Sequence, residues 1–147
     1  MSQKKVKKLN LPQPPSSSRI KPTKLEPPRG ISFSYRYFKD DNEKFSIKGK
    51  DARYLEALLQ RLRDLSTMTV YEITVTNAKS LRCHPIDWAD TTETCFGIPQ
   101  QEQLVSTPYQ LFQFSANEHG RVHGFFIENV FYIVWLDPDH KLYSGNK

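Results

Sequence analysis

Apolar positions recur with two different periods along the chain, and these periods predict its first strand and its main helix. In ISFSYRYF (31–38), apolar residues alternate with Ser and Arg, which is the period-two pattern of a half-buried strand. From Gly49 to Leu65 the leucines are spaced by three and four residues, which predicts an amphipathic helix with Asp51 as its N-cap. The expected buried stripe of this helix consists of Leu55, Leu58, Leu59, Leu62 and Leu65.

Several shorter segments are typical of further strands. They are KFSI (44–47), VYEITV (70–75), a strand within 80–88 that ends at Pro85, and YQLFQFS (109–115). Residues 89–108, rich in Thr, Gln, Gly and Pro, form a long irregular connection. The order of the elements predicts an α+β domain in which an antiparallel sheet of about five to six strands packs on one main helix.

The stretch HGRVHGFFIENVFYIVWLDPDHKLY (119–143) predicts a β-hairpin, because two apolar runs flank the dipeptide Glu128-Asn129. A two-residue turn sets the facing pairs Ile127–Val130, Phe125–Tyr132, His123–Val134 and Arg121–Leu136. The opposite face of the hairpin is expected to pack on the helix through Phe126, Phe131, Ile133 and Trp135.

Composition divides the chain after residue 30. The first thirty residues contain no aromatic residue, six of the ten prolines, and eight basic residues against one acidic residue, a net charge of +7. The remaining residues carry a net charge of −2, so the overall +5 comes from this basic segment. We therefore expect a disordered basic tail (1–30) and a single domain (31–147).

The tail has three open interpretations: a solubilising linker, a nucleic-acid contact, and a contact with an acidic protein or an anionic membrane. The nucleic-acid interpretation rests on a basic cluster suited to phosphates, formed by Lys4, Lys5, Lys7 and Lys8.

Other protein classes are disfavoured by what the sequence lacks. No apolar run reaches the ~18 residues of a membrane span, and no apolar segment of a signal peptide follows the N-terminal lysines. Cys83 and Cys95 do not form a zinc pattern, and Asp137, Asp139 and His140 are explained better by turn chemistry than by a metal site. We expect a soluble cytoplasmic protein with no metal and no cofactor.

The candidate site lies at the open end of the hairpin. Arg121 and His123 share one face of their strand, and the chain returns to the same end at His140 and Tyr143. An arginine that binds phosphate beside a histidine that moves protons would serve RNA cleavage, so Arg121, His123, His140 and Tyr143 are the candidate catalytic residues. A second group, His84, Asp87 and Trp88, is either an oriented histidine or a turn covered by tryptophan.

The arginine strand, the hairpin and the terminal His/Tyr pair resemble the C-terminal end of RelE/YoeB-type toxins of bacterial toxin–antitoxin systems. The resemblance covers about 25 residues. It implies an α+β fold, cleavage of messenger RNA on the ribosome and an antitoxin as protein partner. It also implies Arg121 as the phosphate-binding arginine, His140 as the acid or base, and Tyr143 as the terminal aromatic residue.

Two functions remain open at the level of sequence. The first is a small nucleic-acid- or protein-binding protein without catalytic activity, such as a component of a mobile element or of a toxin–antitoxin system. The second is a ribonuclease toxin of the RelE type that acts without a metal ion.

Overall fold

The computed structural model describes residues 29–99 and 110–143. Its strands and α-helices are β1 (Ser32–Ser34), α1 (Ala52–Leu65), α2 (Ala78–Leu81), β2 (His84–Pro85), β3 (Gln110–Ser115), β4 (Arg121–Ile127) and β5 (Val130–Asp137). The basic cluster Lys4, Lys5, Lys7 and Lys8 lies outside the described residues, as do residues 100–108 of the 89–108 connection.

The five strands form one sheet in the order β1-β5-β4-β3-β2. Neighbouring strands from β5 to β2 are antiparallel, whereas β1 pairs with β5 in parallel. The fold is therefore α+β with a mixed sheet, and the expectation of a purely antiparallel sheet is corrected at β1. The parallel pair is possible because α1, α2 and the strands β2 to β4 lie between β1 and β5 in the chain, and only a tight hairpin requires neighbouring strands to be antiparallel.

Helix α1 begins and covers the sheet as its leucine pattern predicts. The Asp51 carboxylate accepts a hydrogen bond from the backbone N–H of Tyr54 at 3.1 Å, which confirms the N-cap. The core on this side of the sheet contains Tyr54, Leu58, Leu62, Leu65, Val122, Phe126, Phe131 and Ile133. Leu55 and Leu59 remain exposed, so the stripe that contacts the sheet is narrower than predicted.

Two segments predicted as strands are helical. Residues Glu72–Thr76 form a π-helical turn closed by a hydrogen bond from Asn77 N–H to the Glu72 carbonyl at 2.8 Å. Residues Glu43–Phe45 form a 3₁₀ turn that buries Phe45. Both predictions were wrong because β-propensity is a weak signal that the tertiary context overrides; Ile73 and Phe45 are buried in helical turns instead of strands.

The hairpin and its Glu128-Asn129 turn are present, with Ile127 facing Val130 and Phe125 facing Tyr132 as predicted. Beyond Gly124 the register changes by one residue. Gly124 faces Ile133 and His123 faces Trp135, so Val134 is an extra residue on β5, a β-bulge.

The bulge overturns the predicted faces of the second half of β5. Val134 and Trp135 lie together in the core on the side of the sheet away from α1, while Leu136 joins the core beneath α1. The expectation that Trp135 packs on the helix, and that Arg121 faces Leu136, is therefore corrected. The Val134 carbonyl accepts a hydrogen bond from Lys39 N–H at 2.9 Å, so the bulge also holds the 35–39 segment.

Candidate functional site

Two rows of polar side chains cross the sheet at the open end of the hairpin. In one row His84 on β2 faces Gln113 on β3, which faces His123 on β4. In the next row Ser115 faces Arg121, which faces Asp137 on β5. Asp137 shares this face because of the bulge, since side chains alternate along a strand and one extra residue reverses the face of every position beyond it.

Asp137 is fully buried and its carboxylate accepts three hydrogen bonds. Oδ1 accepts from Lys141 N–H at 2.7 Å, and Oδ2 accepts from Leu142 N–H at 2.9 Å and from His123 Nε2 at 2.9 Å. Its backbone carbonyl also accepts from His140 N–H at 3.2 Å. The turn after β5 is thus wrapped around one carboxylate, which fixes the position of His140.

The charge states of the buried pair follow from these contacts. Burial lowers the pKa of His123, and this effect exceeds the opposing hydrogen bond and charge of Asp137. Burial raises the pKa of Asp137, but the hydrogen bond and charge of His123 and the two backbone N–H groups lower it further, so the pKa lies below its ordinary value. The pair is a neutral imidazole that donates to a carboxylate.

A cavity of about 820 Å³ opens in front of this pair, and we call it the hairpin-end cavity. Three of the four candidate catalytic residues, Arg121, His140 and Tyr143, line it. The other residues around it come from the 82–91 segment and from β3: Arg82, His84, Pro85, Asp87, Ala89, Asp90, Thr91 and Gln113. His123 is 0% exposed and lies behind the cavity, so the expectation that it contacts a substrate is corrected.

Two guanidinium groups converge at the cavity. Arg82 Nη1 and Arg121 Nη1 both donate to the Glu118 carbonyl, at 2.8 and 3.2 Å, and Arg121 Nη1 also donates to the Gly120 carbonyl at 3.0 Å. Arg121 is 5% exposed, and its buried Nε has no partner among the described residues. Burial and the nearby charge of Arg82 lower the pKa of Arg121. Like charges held together in this way favour an anion between them.

The imidazoles at the cavity have different partners. Burial, and then the charge of Arg121, lower the pKa of His140, which adopts a left-handed backbone conformation (φ 54°). His84 Nδ1 donates to the Pro85 carbonyl at 2.9 Å, and its Nε2 accepts from the Gln113 amide at 2.8 Å. The Tyr143 ring lies against both imidazoles, with ring centroids 5.3 Å from His84 and 6.3 Å from His140.

Carboxylates complete the wall beside Tyr143. Burial raises the pKa of Tyr143, and the charges of Asp90 and Asp87 add to this, against a hydrogen bond from the Asp87 backbone. Asp87 Oδ1 accepts from Ala89 N–H at 3.1 Å, which fixes the turn that begins at Trp88. Trp88 itself packs on Phe96 and Trp135, so it covers the core, while His84 and Asp87 face the cavity.

Sequence reasoning did not include Arg82 and Gln113 in the site. The alternation of YQLFQFS places Gln113 between two apolar neighbours, which is a weak signal for a polar residue on an otherwise buried strand. Arg82 has no such signal, because its place depends on the left-handed conformation (φ 50°) that ends α2.

Within residues 29–99 and 110–143, no three His, Cys, Asp or Glu side chains are grouped so that they would bind a metal ion. Cys83 and Cys95 are both free, and burial raises the pKa of the Cys83 thiol to about 12. No helix within these ranges has the length and apolar character needed to span a bilayer.

Comparison of the chain with protein-family models, with curated proteins and with solved structures gives no match. The resemblance to RelE/YoeB-type toxins therefore stays a prediction, and the function has to be argued from the hairpin-end cavity itself.

Proposed function

We propose that the protein binds single-stranded RNA and that the hairpin-end cavity holds a nucleotide with its phosphate between Arg82 and Arg121. The observation that carries this proposal is the convergence of the two guanidinium groups on the Glu118 carbonyl, at the edge of a cavity that they both line. Arginine is the side chain best suited to a phosphate, because its planar group donates two parallel hydrogen bonds.

The remaining lining residues support a nucleotide over a simple anion. Tyr143 offers a partly buried ring on which a base can stack. Asp87 and Asp90 supply acceptors for the amino or imino N–H groups of a base. A volume of about 820 Å³ lies within the range of ~300–1,000 Å³ that is typical of ligand sites.

The basic tail is proposed to add sequence-independent affinity. Its net charge of +7 contrasts with the −2 of the rest of the chain. Removing residues 1–28, which carry a net charge of +6, should flatten the dependence of RNA affinity on salt, because fewer counterions are then released on binding. An unchanged slope would remove the tail from the binding account.

Fluorescence anisotropy with a labelled single-stranded RNA tests the cavity. Arg82→Ala should weaken binding about tenfold, equivalent to roughly 1.4 kcal/mol, and should reduce the salt slope by about one unit. Arg63→Ala is the matched control, because Arg63 is exposed on α1 and, within 29–99 and 110–143, forms its ion pair with its neighbour Asp64 at 3.1 Å. Equal effects of the two substitutions would contradict the proposal.

RNA cleavage is the second candidate function, and it is favoured by the imidazole of His140 beside two guanidinium groups on one cavity. The lowered pKa of His140 keeps its ring unprotonated near neutral pH, as a general base requires. In the proposed step, His140 takes the proton of the ribose 2′-hydroxyl and the 2′-oxygen forms a bond to phosphorus. The bond from phosphorus to the 5′-oxygen breaks, and that oxygen takes a proton from water, because both ring nitrogens of His84 already have partners in the protein. The products are a 2′,3′-cyclic phosphate and a 5′-hydroxyl end.

Incubation with an end-labelled RNA and with DNA of the same sequence tests this candidate. His140→Asn should reduce the formation of cyclic-phosphate ends at least a hundredfold, while DNA should remain intact. His119→Asn is the control, because His119 is exposed and does not line the cavity. If the wild type binds RNA without cutting it, the protein is a binding protein and the catalytic candidate is refuted.

A further inference from the structure

A row of four polar side chains connects the hairpin-end cavity with the buried interior. The strand register places His84, Gln113 and His123 directly beside one another, and His123 Nε2 donates to Asp137 Oδ2 at 2.9 Å. Gln113 is 2% exposed and His123 0% exposed, so every polar atom in the middle of this row needs a partner within the protein.

Two acceptor atoms in the middle of the row have no partner among the described residues. They are Gln113 Oε1 and His123 Nδ1. Both atoms lack a partner because of the orientation of the Gln113 side-chain amide. Gln113 Nε2 donates to His84 Nε2, so Gln113 Oε1 is left without a donor. A buried acceptor without a donor costs roughly 1–3 kcal/mol, so this direction is unfavourable for both atoms.

A half-turn of the Gln113 amide satisfies both acceptors. The amide oxygen then accepts from His84 Nε2–H, and the amide nitrogen is free to donate to His123 Nδ1 on the neighbouring strand. Facing side chains in an antiparallel pair have Cβ atoms about 4.5–5.5 Å apart, which is within reach of a glutamine. His84 then donates from both ring nitrogens, from Nε2 to the amide oxygen and from Nδ1 to the Pro85 carbonyl, so both nitrogens must carry hydrogen.

We propose that His84, Gln113, His123 and Asp137 form one continuous chain of hydrogen bonds, in which Gln113 is the positioning residue that holds the doubly protonated His84 ring at the wall of the cavity. All donors then point from the cavity toward the Asp137 carboxylate. With hydrogen on both ring nitrogens, His84 has a carbonyl acceptor for each, so the row accommodates its cationic form beside a bound phosphate.

The consequence for RNA affinity rests on the proposed function of the cavity, whereas the hydrogen-bond chain does not. Nuclear magnetic resonance of the ¹⁵N-labelled full chain tests the chain directly, because the protein has four histidines and their ring nitrogens can be observed one by one. The ¹⁵N chemical shift of a ring nitrogen tells whether it carries hydrogen.

The expected result has three parts. His84 Nε2 carries hydrogen, His123 Nδ1 does not, and the side-chain amide protons of Gln113 show Overhauser effects to the His123 ring. An unprotonated His84 Nε2 would overturn the proposal, as would a His123 ring protonated at both nitrogens, because either result reverses the direction of the chain.

Substitution of Gln113 tests the positioning role. Gln113→Leu should lower RNA affinity about fivefold and leave His84 as a mixture of tautomers, while Gln113→Glu, which keeps an acceptor for His84 Nε2, should preserve its protonation. Unchanged affinity in Gln113→Leu would refute the positioning role. If the wild type binds no RNA, the proposed function fails, and the resonance pattern still decides whether the row exists.

Discussion

The buried carboxylate of Asp137 provides a sharp test of how the cavity is built. It accepts hydrogen bonds from Lys141 N–H, Leu142 N–H and His123 Nε2, and it has no exposed surface. Asp137→Asn keeps the shape of the side chain but replaces one acceptor oxygen by an N–H₂ group. At least one of the three donors then loses its acceptor and faces another donor.

The size of the effect follows from these contacts. A hydrogen bond to a charged group contributes roughly 1.5–3 kcal/mol, and breaking a buried charged pair costs about 3–5 kcal/mol. Because His123 is neutral in the pair, we expect the lower end, about 3 kcal/mol. With a urea m-value of roughly 1–1.5 kcal/mol/M for a domain of this size, the unfolding midpoint should fall by about 2–3 M.

The control lies two residues away in the same turn. Asp139→Asn makes the same chemical change at a half-exposed side chain, whose ion pair with Lys50 Nζ spans 2.6 Å. An exposed pair of this kind contributes less than about 1 kcal/mol. Urea denaturation followed by tryptophan fluorescence compares the two variants, since Trp135 is buried in the core. Midpoints that shift equally in both variants would refute the assignment of Asp137 as the centre of the turn.

Two further predictions concern stability. Lowering the pH should destabilise the protein in two steps, because the pKa values of His123 and Asp137 are lowered in the folded state. Below about pH 6.5 the unfolded chain takes up a proton at His123 while the folded protein does not. The same difference arises at Asp137 below about pH 3.9. Urea midpoints that rise between about pH 7.5 and pH 5.5 would contradict this sign. Gly124→Ala should cost at least about 2 kcal/mol, because a Cβ at this position would overlap the Tyr132 carbonyl and press on the Phe131 ring. Gly49→Ala is its control: the site has open space but a φ of 80°, so about 1–2 kcal/mol is expected in thermal unfolding, and equal losses would argue against the close approach at the bulge.

The sequence predicts those parts of the fold that rest on long, regular patterns. The leucine spacing and Asp51 identify α1, and the two apolar runs around Glu128-Asn129 identify the hairpin and its turn. Such patterns are informative because burial of a whole helix face or strand face repeats the same physical requirement many times. Residues 70–75 show where such prediction fails. Their β-branched side chains favour a strand, but the tertiary context buries Ile73 in a helical turn.

The site was predicted in part, and the β-bulge explains one of the features that were missed. Arg121, His140 and Tyr143 were expected at the open end of the hairpin, and all three line the cavity there. The bulge at Val134, however, has no signature in VFYIVWL, although it decides that Asp137 shares a face with Arg121. An extra residue in a strand changes the faces without changing the composition, so a count of alternating positions does not detect it.

The partners contributed by other strands are also absent from local patterns. His84 and Gln113 are 29 positions apart in the chain, and they meet through the short pairing of β2 with β3. Local periodicity contains no information about which strands become neighbours.

The most direct test of the hairpin-end cavity as an RNA site is to follow the imidazole resonances of the four histidines while a single-stranded oligonucleotide is added. His84 and His140 line the cavity, His123 is buried behind it, and His119 is exposed elsewhere. We predict saturable shifts of His84 and His140, with His119 unchanged. Binding that leaves His84 and His140 unmoved would contradict the account, because the RNA would then lie outside the cavity.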